Sequence, residues 1–247
     1  MNITSSYAVE ILKARKIFKA TVDIYRAALS YCIEVFNKEW NNIASAKGKH
    51  GQFNFAERLI HTTKNNEAKY DFDSRFKKFP CYLRRAVIQA SLGIVSSYQS
   101  NLKNWKENGK VGAEPRLQLK HYLMPCFYKK DMFKASEDDD SAYLKLYINN
   151  DWVWYKVKLL HTDSRYIKKH LKDIEPSAPT LEKRYGTYYL RFAFTQEVNL
   201  SKVNIEDQLV CSVDLGLNSD AVCSIMSSDG TVLARKFINF ASEKDHL

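Results

Sequence analysis

The hydrophobic pattern of this chain changes period once, near Gly112, and that change excludes both an all-helical and an all-strand fold. Before it, Phe18, Val22, Tyr25, Leu29, Cys32, Phe36 and Trp40 recur at three- and four-residue steps, which predicts a helix over about Ala14–Trp40. Ile88, Leu92, Val95, Tyr98, Leu102 and Trp105 make a second stripe, predicting a helix from Tyr82 to Trp105 that ends at Asn108-Gly109. The two are expected to pack as an antiparallel pair with a short helix near Phe55–His61 between them. Ala8–Leu12 reads as a short strand, and Ala44–Gly51 as the loop of the polar stretch that follows the first helix.

After Gly112 the alternation is of period two. Tyr143–Ile148 and Trp152–Leu159 flank Asn149-Asn-Asp151, and Thr180–Lys183 and Thr187–Phe194 flank Arg184-Tyr-Gly186; each is a hairpin signal. Between them, Asp163–Asp173 reads as a short basic helix carrying Arg165, Lys168, Lys169 and Lys172. Short strands at this spacing predict a small barrel rather than an open sheet. Glu197–Gln208 is the expected linker to a last group of strands: Leu209–Leu217, Ala221–Met226 and Thr231–Ala234, with Asp229-Gly230 as a turn. Glu137–Asp140 is a charge run that reads as a solvated loop. The fold class is therefore α+β.

A chain of 247 residues can bury a real core as one large domain or two modest ones, and 45% apolar with 13% aromatic residues marks it as folded. Its formal charge of +10 favours a polyanionic partner, nucleic acid first, against a basic protein with no such partner. No apolar run is long enough to span a membrane, and the N-terminus lacks the build of a signal peptide. The five cysteines are scattered without a Cys-x-x-Cys pair, so neither zinc nor a disulfide framework is indicated, and a cytoplasmic location fits. Cys32 and Cys211 sit in apolar runs and read as core residues.

Asp214 carries the functional argument. It lies between Val213 and Leu215 in a run of buried-strand type, where desolvating a carboxylate without a cation or donors costs several kcal/mol. Bound divalent metal solves that problem, and in two-metal phosphodiester cleavage several carboxylates hold the Mg²⁺ ions. Gly216 lets the strand end turn or approach a phosphate. The alternative is that Asp214 opens a loop and accepts backbone N–H bonds. A strand bearing Asp, a second strand, an Asp-Gly turn and a third strand is also how an RNase H-like core begins.

The order of the whole chain resembles the transposon-encoded TnpB (OrfB-type) RNA-guided nucleases, relatives of the compact type V CRISPR effectors. The likeness rests on Tyr31-Cys-Ile-Glu-Val-Phe-Asn37, Leu83–Trp105, Lys110-Val-Gly-Ala-Glu-Pro-Arg116, Arg184–Phe192 and Val210-Cys-Ser-Val-Asp-Leu-Gly-Leu-Asn218, taken in that order. The last of these is similar to the first RuvC motif and gives Asp214 the catalytic, metal-binding role. The resemblance implies a first wedge strand over 1–13, a helical recognition module over 14–112, a β-barrel wedge module over 113–198 and the start of a RuvC domain over 199–247. It implies a guide RNA and a target DNA as partners, held through duplex shape and backbone.

Arg84, Arg85, Lys103, Lys106, Lys110 and Arg116 cluster around one helix and its exit turn and are candidate phosphate contacts, each with a plain solvated helix face as its alternative. Tyr82, Trp105, Trp152 and Trp154 are candidates for base stacking, with Trp105 also fitting the apolar stripe. Trp152 and Trp154 share a strand face with Lys156 and Lys158, which predicts a partly exposed binding face. The sequence departs from the family at Glu114, inside the basic turn, and the family's later catalytic glutamate and aspartate and its zinc ribbon find no counterpart here. The expectation is the N-terminal portion of an RNA-guided endonuclease of a mobile element, whose Mg²⁺ site is incomplete and which does not cleave DNA alone without a C-terminal segment. The alternatives are a nuclease-dead module that holds RNA or DNA by occupancy, and a decayed fragment.

Overall fold

The computed structural model describes residues 2–13, 16–118, 123–128, 130–136, 138, 140–198, 204–216 and 220–239. Ala14, Glu137, Asp139, Leu217, Asn218 and Leu247, on which parts of the expectations above fall, lie outside the described residues. The chain divides into two compact units, one over residues 2–196 and one from Glu197 onward.

In the first unit, strand β1 (Asn2–Leu12) leads into helix α1 (Lys19–Lys38), whose stripe Val22, Tyr25, Leu29, Cys32, Phe36 is buried as its spacing predicts. Short α2 (Trp40–Ser45) and α3 (Gly48–Ile60) follow. The stretch expected as a loop is thus mostly helical, because Ala56, Leu59 and Ile60 give α3 an apolar face to bury. The chain turns between the two helices at Gly48, whose φ of +68° suits a residue without Cβ. Helix α4 (Phe72–Arg75) and the long α5 (Cys81–Glu107) complete the helical part. Phe72, Phe76 and Phe79 form a ring cluster with Tyr31 that closes α4 onto α1.

Helices α1 and α5 run parallel, not antiparallel. Ser91 Oγ donates to Leu29 O at 3.5 Å and Gln99 Nε2 to Asn37 Oδ1 at 2.8 Å, with the same offset of 62 residues in both pairs. The reason is the chain between them: α2, α3 and α4 return it to the starting end of α1 before α5 begins.

The remaining strands of this unit are β2 (Phe133–Ala135), β3 (Ser141–Ile148), β4 (Asp151–Leu159), β5 (Thr180–Arg184) and β6 (Thr187–Glu197), with helix α6 (His161–Leu171) between β4 and β5. They form one sheet with β1, in the order β2-β3-β4-β1-β6-β5. Two-residue turns with positive φ close both hairpins, at Asn149 and Asn150 and at Tyr185 and Gly186. The sheet is open rather than a closed barrel: no ladder joins β2 to β5 among the described residues. Beside β5 runs Pro125–Phe127, joined by Phe127 N–H to Pro179 O and Leu181 N–H to Pro125 O. Pro125 has no N–H with which to extend that contact into a ladder.

Leu144 and Leu146 of β3 are fully buried on the sheet face toward α1, and Thr21 Oγ1 of α1 accepts the Tyr147 N–H at 2.9 Å. Helix α6 is fixed to β1 by stacking of Tyr166 on Tyr7, centroids 4.5 Å apart, and by Asp163 accepting the Glu10 N–H.

The second unit holds a short 3₁₀ turn (Ile205–Asp207) and strands β7 (Val210–Asp214), β8 (Ala221–Met226) and β9 (Val232–Ile238), an antiparallel sheet in the order β7-β8-β9. Asp229 is the turn residue expected, accepting from the Thr231 N–H, and Gly230 takes φ +88°.

Candidate nucleic-acid interface

Strand pairing builds the site. Lys134 of β2 lies opposite Tyr143 of β3, and Tyr143 opposite Lys156 of β4. One step along, Lys145 lies opposite Trp154, and Ser141 opposite Lys158. Alternation puts Lys134, Tyr143, Lys145, Trp154, Lys156 and Lys158 on the face away from Leu144 and Leu146. Ring contacts agree: Lys134 Nζ stands 4.4 Å from the Trp154 centroid, and Lys156 Nζ 5.8 Å from that of Tyr143. Trp154 and Tyr143 are 38% and 37% exposed, so both rings present a face to water.

Of these four lysines, Lys156 is in an ion pair, at 2.8 Å from Asp138. That hydrogen bond raises the Lys156 pKa and, with Ser141, lowers that of Asp138. Four ammonium groups interleaved with two open rings can hold a phosphate backbone while bases stack, which needs no sequence readout.

Trp152, expected on the same exposed face, is buried. Phe79 meets its ring edge-on at 5.6 Å, Tyr147 lies at 5.3 Å, and Lys78 reaches Asp151 at 3.2 Å, so the hairpin tip is tucked against the chain entering α5. The open strip therefore starts at Trp154. The Asn149-Asn150 turn, which sets the β3–β4 register, is the sequence signal that places Tyr143 and Lys145 on this face, and no local signal places Lys134 there.

The cations expected around α5 are not brought together. Arg84 and Arg85 sit near its start and Lys106 near its end, ~30 Å away at the rise of a helix. Arg84 is buried and donates to Asp73 at 3.4 Å, so it belongs to the core and is not a phosphate contact. Arg85 is exposed and its guanidinium lies 5.4 Å from the Phe53 ring. Lys103 faces Glu107 at 3.7 Å, Lys106 and Arg116 are exposed, and Lys110 lies 5.9 Å from the Trp105 ring. Trp105 donates from Nε1 to Gly112 O at 3.2 Å and pins that exit turn, half-buried rather than in the core. Tyr82 is exposed beside Tyr128.

Asp214 closes β7 opposite Val222 and is exposed along with the whole strand. Within this unit Asp214 is not desolvated and needs no metal on that ground, because β7 is an edge strand that nothing covers among the described residues. Cys211, expected in a core, is exposed there too. Among the described residues no group of three or more His, Cys, Asp or Glu side chains is placed to hold a metal ion. One carboxylate at a strand end does not fit a Mg²⁺ pair. No helix among the described residues is long and apolar enough to cross a membrane.

Residues 4–148, from β1 to the end of β3, match the model of the Aq_aa04 family. Over 83 residues the chain is 30% identical to "Uncharacterized protein aq_aa04" of Aquifex aeolicus (strain VF5), an overlap of 34% of this chain and 45% of that protein. The match thus spans less than half of the relative's length. The family match includes the helices α1 to α5 and Lys134, Tyr143 and Lys145, while β4 and the strand bearing Asp214 lie beyond it. The chain belongs to the Aq_aa04 family.

Proposed function

We propose that this chain binds nucleic acid on the outer face of β2, β3 and β4. The observation that carries the reading is the cross-strand row in which Lys134 covers Trp154 and Lys156 lies by Tyr143. Lysines there neutralise successive phosphates, and the exposed rings take stacked bases at about 1–3 kcal/mol each. The formal charge of +10 adds long-range attraction.

The finer reading is the N-terminal portion of an RNA-guided endonuclease similar to TnpB, with guide RNA and target DNA as the polyanions. Its support is the order of short motifs and the antiparallel β7-β8-β9 sheet with Asp214 at the end of its first strand. In this reading Asp214 contributes one ligand to a Mg²⁺ site that further carboxylates complete. The chain by itself then acts by occupancy and leaves DNA uncut when Mg²⁺ is added.

The test is fluorescence anisotropy with a labelled single-stranded oligonucleotide. Trp154→Ala should weaken binding by about five- to a hundred-fold, the equivalent of one lost stack. Unchanged affinity in a folded Trp154→Ala variant overturns the proposal.

A further inference from the structure

A cleft of about 670 Å³ opens between α3 and the first half of α5, with Tyr128 in its wall. The size is that of sites that enclose small organic ligands, about 300–1,000 Å³. Its chemistry is one-sided. Lys49, His50 and Arg85 are basic, Phe53, Tyr82 and Tyr128 are aromatic, and none of the lining residues is acidic.

Arg85 is the informative residue. Its neighbour Arg84 is spent on Asp73, whereas Arg85 makes no ion pair among the described residues and is held by the Phe53 ring at 5.4 Å. A guanidinium fixed on a ring keeps its donors free for a planar or tetrahedral oxyanion. Tyr82 and Tyr128 pack with centroids 5.5 Å apart and planes inclined by 33°, and Tyr82 is 44% exposed, leaving ring surface open to a flat ligand. Gln52 and Gln89 add amides that both donate and accept, as the edge of a heterocycle requires. A ligand that satisfies these walls carries a flat heterocycle and an anion in one molecule. An amine finds no carboxylate among the lining residues, and a plain sugar leaves Lys49 and Arg85 without an anion.

We propose that this cleft binds a nucleoside phosphate. The same chemistry has two sources, a free mononucleotide or a single nucleotide turned out of a bound strand. The free mononucleotide source is independent of the sheet face, since a mononucleotide has no chain for that face to grip, whereas the turned-out nucleotide rests on the strand binding proposed above.

The test is calorimetric titration of the whole chain with adenosine monophosphate, ribose 5-phosphate and inorganic phosphate. Adenosine monophosphate is expected to bind saturably, and the two ligands without a base at least about ten-fold more weakly. Arg85→Met should weaken it by about ten- to a hundred-fold. The same loss is expected for Tyr82→Leu, which keeps apolar bulk at an exposed site. Lys19→Gln, an equal loss of charge on the exposed face of α1, should leave binding unchanged.

The strand source is read from a single 2-aminopurine in a labelled oligonucleotide: quenching in the wild type that Tyr82→Leu abolishes, without mononucleotide binding, assigns the cleft to a turned-out base. Binding of phosphate as tight as that of adenosine monophosphate overturns the proposal. So does indifference of both ligands to Arg85 and Tyr82 in variants with unchanged urea unfolding. Absence of oligonucleotide binding together with Arg85-dependent mononucleotide binding would sink the sheet-face reading and leave this one standing.

Discussion

Removing Asp73 should cost far more stability than removing Arg84, although the two form one ion pair. The Arg84 side chain is 8% exposed and that of Asp73 43%. Arg84 reaches Asp73 Oδ1 at 3.4 Å and Cys81 Sγ at 3.9 Å, and its Nε is buried with no partner. Asp73→Ala therefore strands a buried guanidinium on one weak sulfur contact. Breaking a fully buried pair costs about 3–5 kcal/mol; the long contact and the half-exposed carboxylate bring this to about 2–3 kcal/mol. Arg84→Met removes the cation and the unpartnered Nε, whose desolvation already costs about 1–3 kcal/mol, while an unbranched chain fills the space. That variant should stay within about 1 kcal/mol of the wild type. In the Arg84→Met background, Asp73→Ala should cost only the remaining contact of Asp73 with His61 Nδ1, 2.8 Å away, about 1 kcal/mol. Urea unfolding followed by circular dichroism measures all four proteins. Equal losses for the two single variants, or a double-mutant cycle with no coupling, would mean that Asp73 does not hold the buried Arg84 guanidinium in place.

Three further outcomes follow from single side chains. The Glu39 carboxylate is held down to about 2 by hydrogen bonds from Lys69, Tyr70 and Asn42. Its folded value lies below the ordinary 4.5, so its stabilisation is complete above that value and drains as pH falls toward about 2; Glu39→Gln should flatten the loss of urea resistance in this window. Trp152→Ala should cost about 3–5 kcal/mol by emptying its place against Phe79, whereas Trp154→Ala should stay within about 1 kcal/mol, the worth of its cation–π contact; the same unfolding series separates them. Burial pushes the Cys32 thiol well above its usual range, so a thiol-reactive dye should label the exposed Cys81 and Cys211 at once and Cys32 only at the rate of unfolding.

Periodicity located α1, α5 and both hairpins because each buries one regular stripe, and a stripe is a local property. Direction between helices is not local. The parallel setting of α1 and α5 depends on the turns through α2, α3 and α4, where Gly48 and the phenylalanine cluster decide the path. Arg84 and Arg85 look alike in sequence and differ by about 100° around the helix, which sends one to Asp73 and the other to Phe53. Trp152 and Trp154 share a strand face, yet Phe79, remote in sequence, covers only the first. Lys134 joined the site through a ladder that no single segment encodes. Asp214 is exposed for the same reason: whether a strand is covered depends on neighbours, and among the described residues β7 pairs with β8 alone.

The most direct test of the nucleic-acid reading is the salt dependence of binding. The dissociation constant for a single-stranded oligonucleotide is measured across a range of salt for the wild type and for a variant with Lys134, Lys145, Lys156 and Lys158 all changed to Gln. If this face binds the strand, log affinity falls steeply and linearly with log salt, and the slope is smaller in the variant by about 0.7 for each lysine that contacts a phosphate of the single strand. A slope that the four substitutions leave unchanged, or no binding even at low salt, would contradict binding on this face.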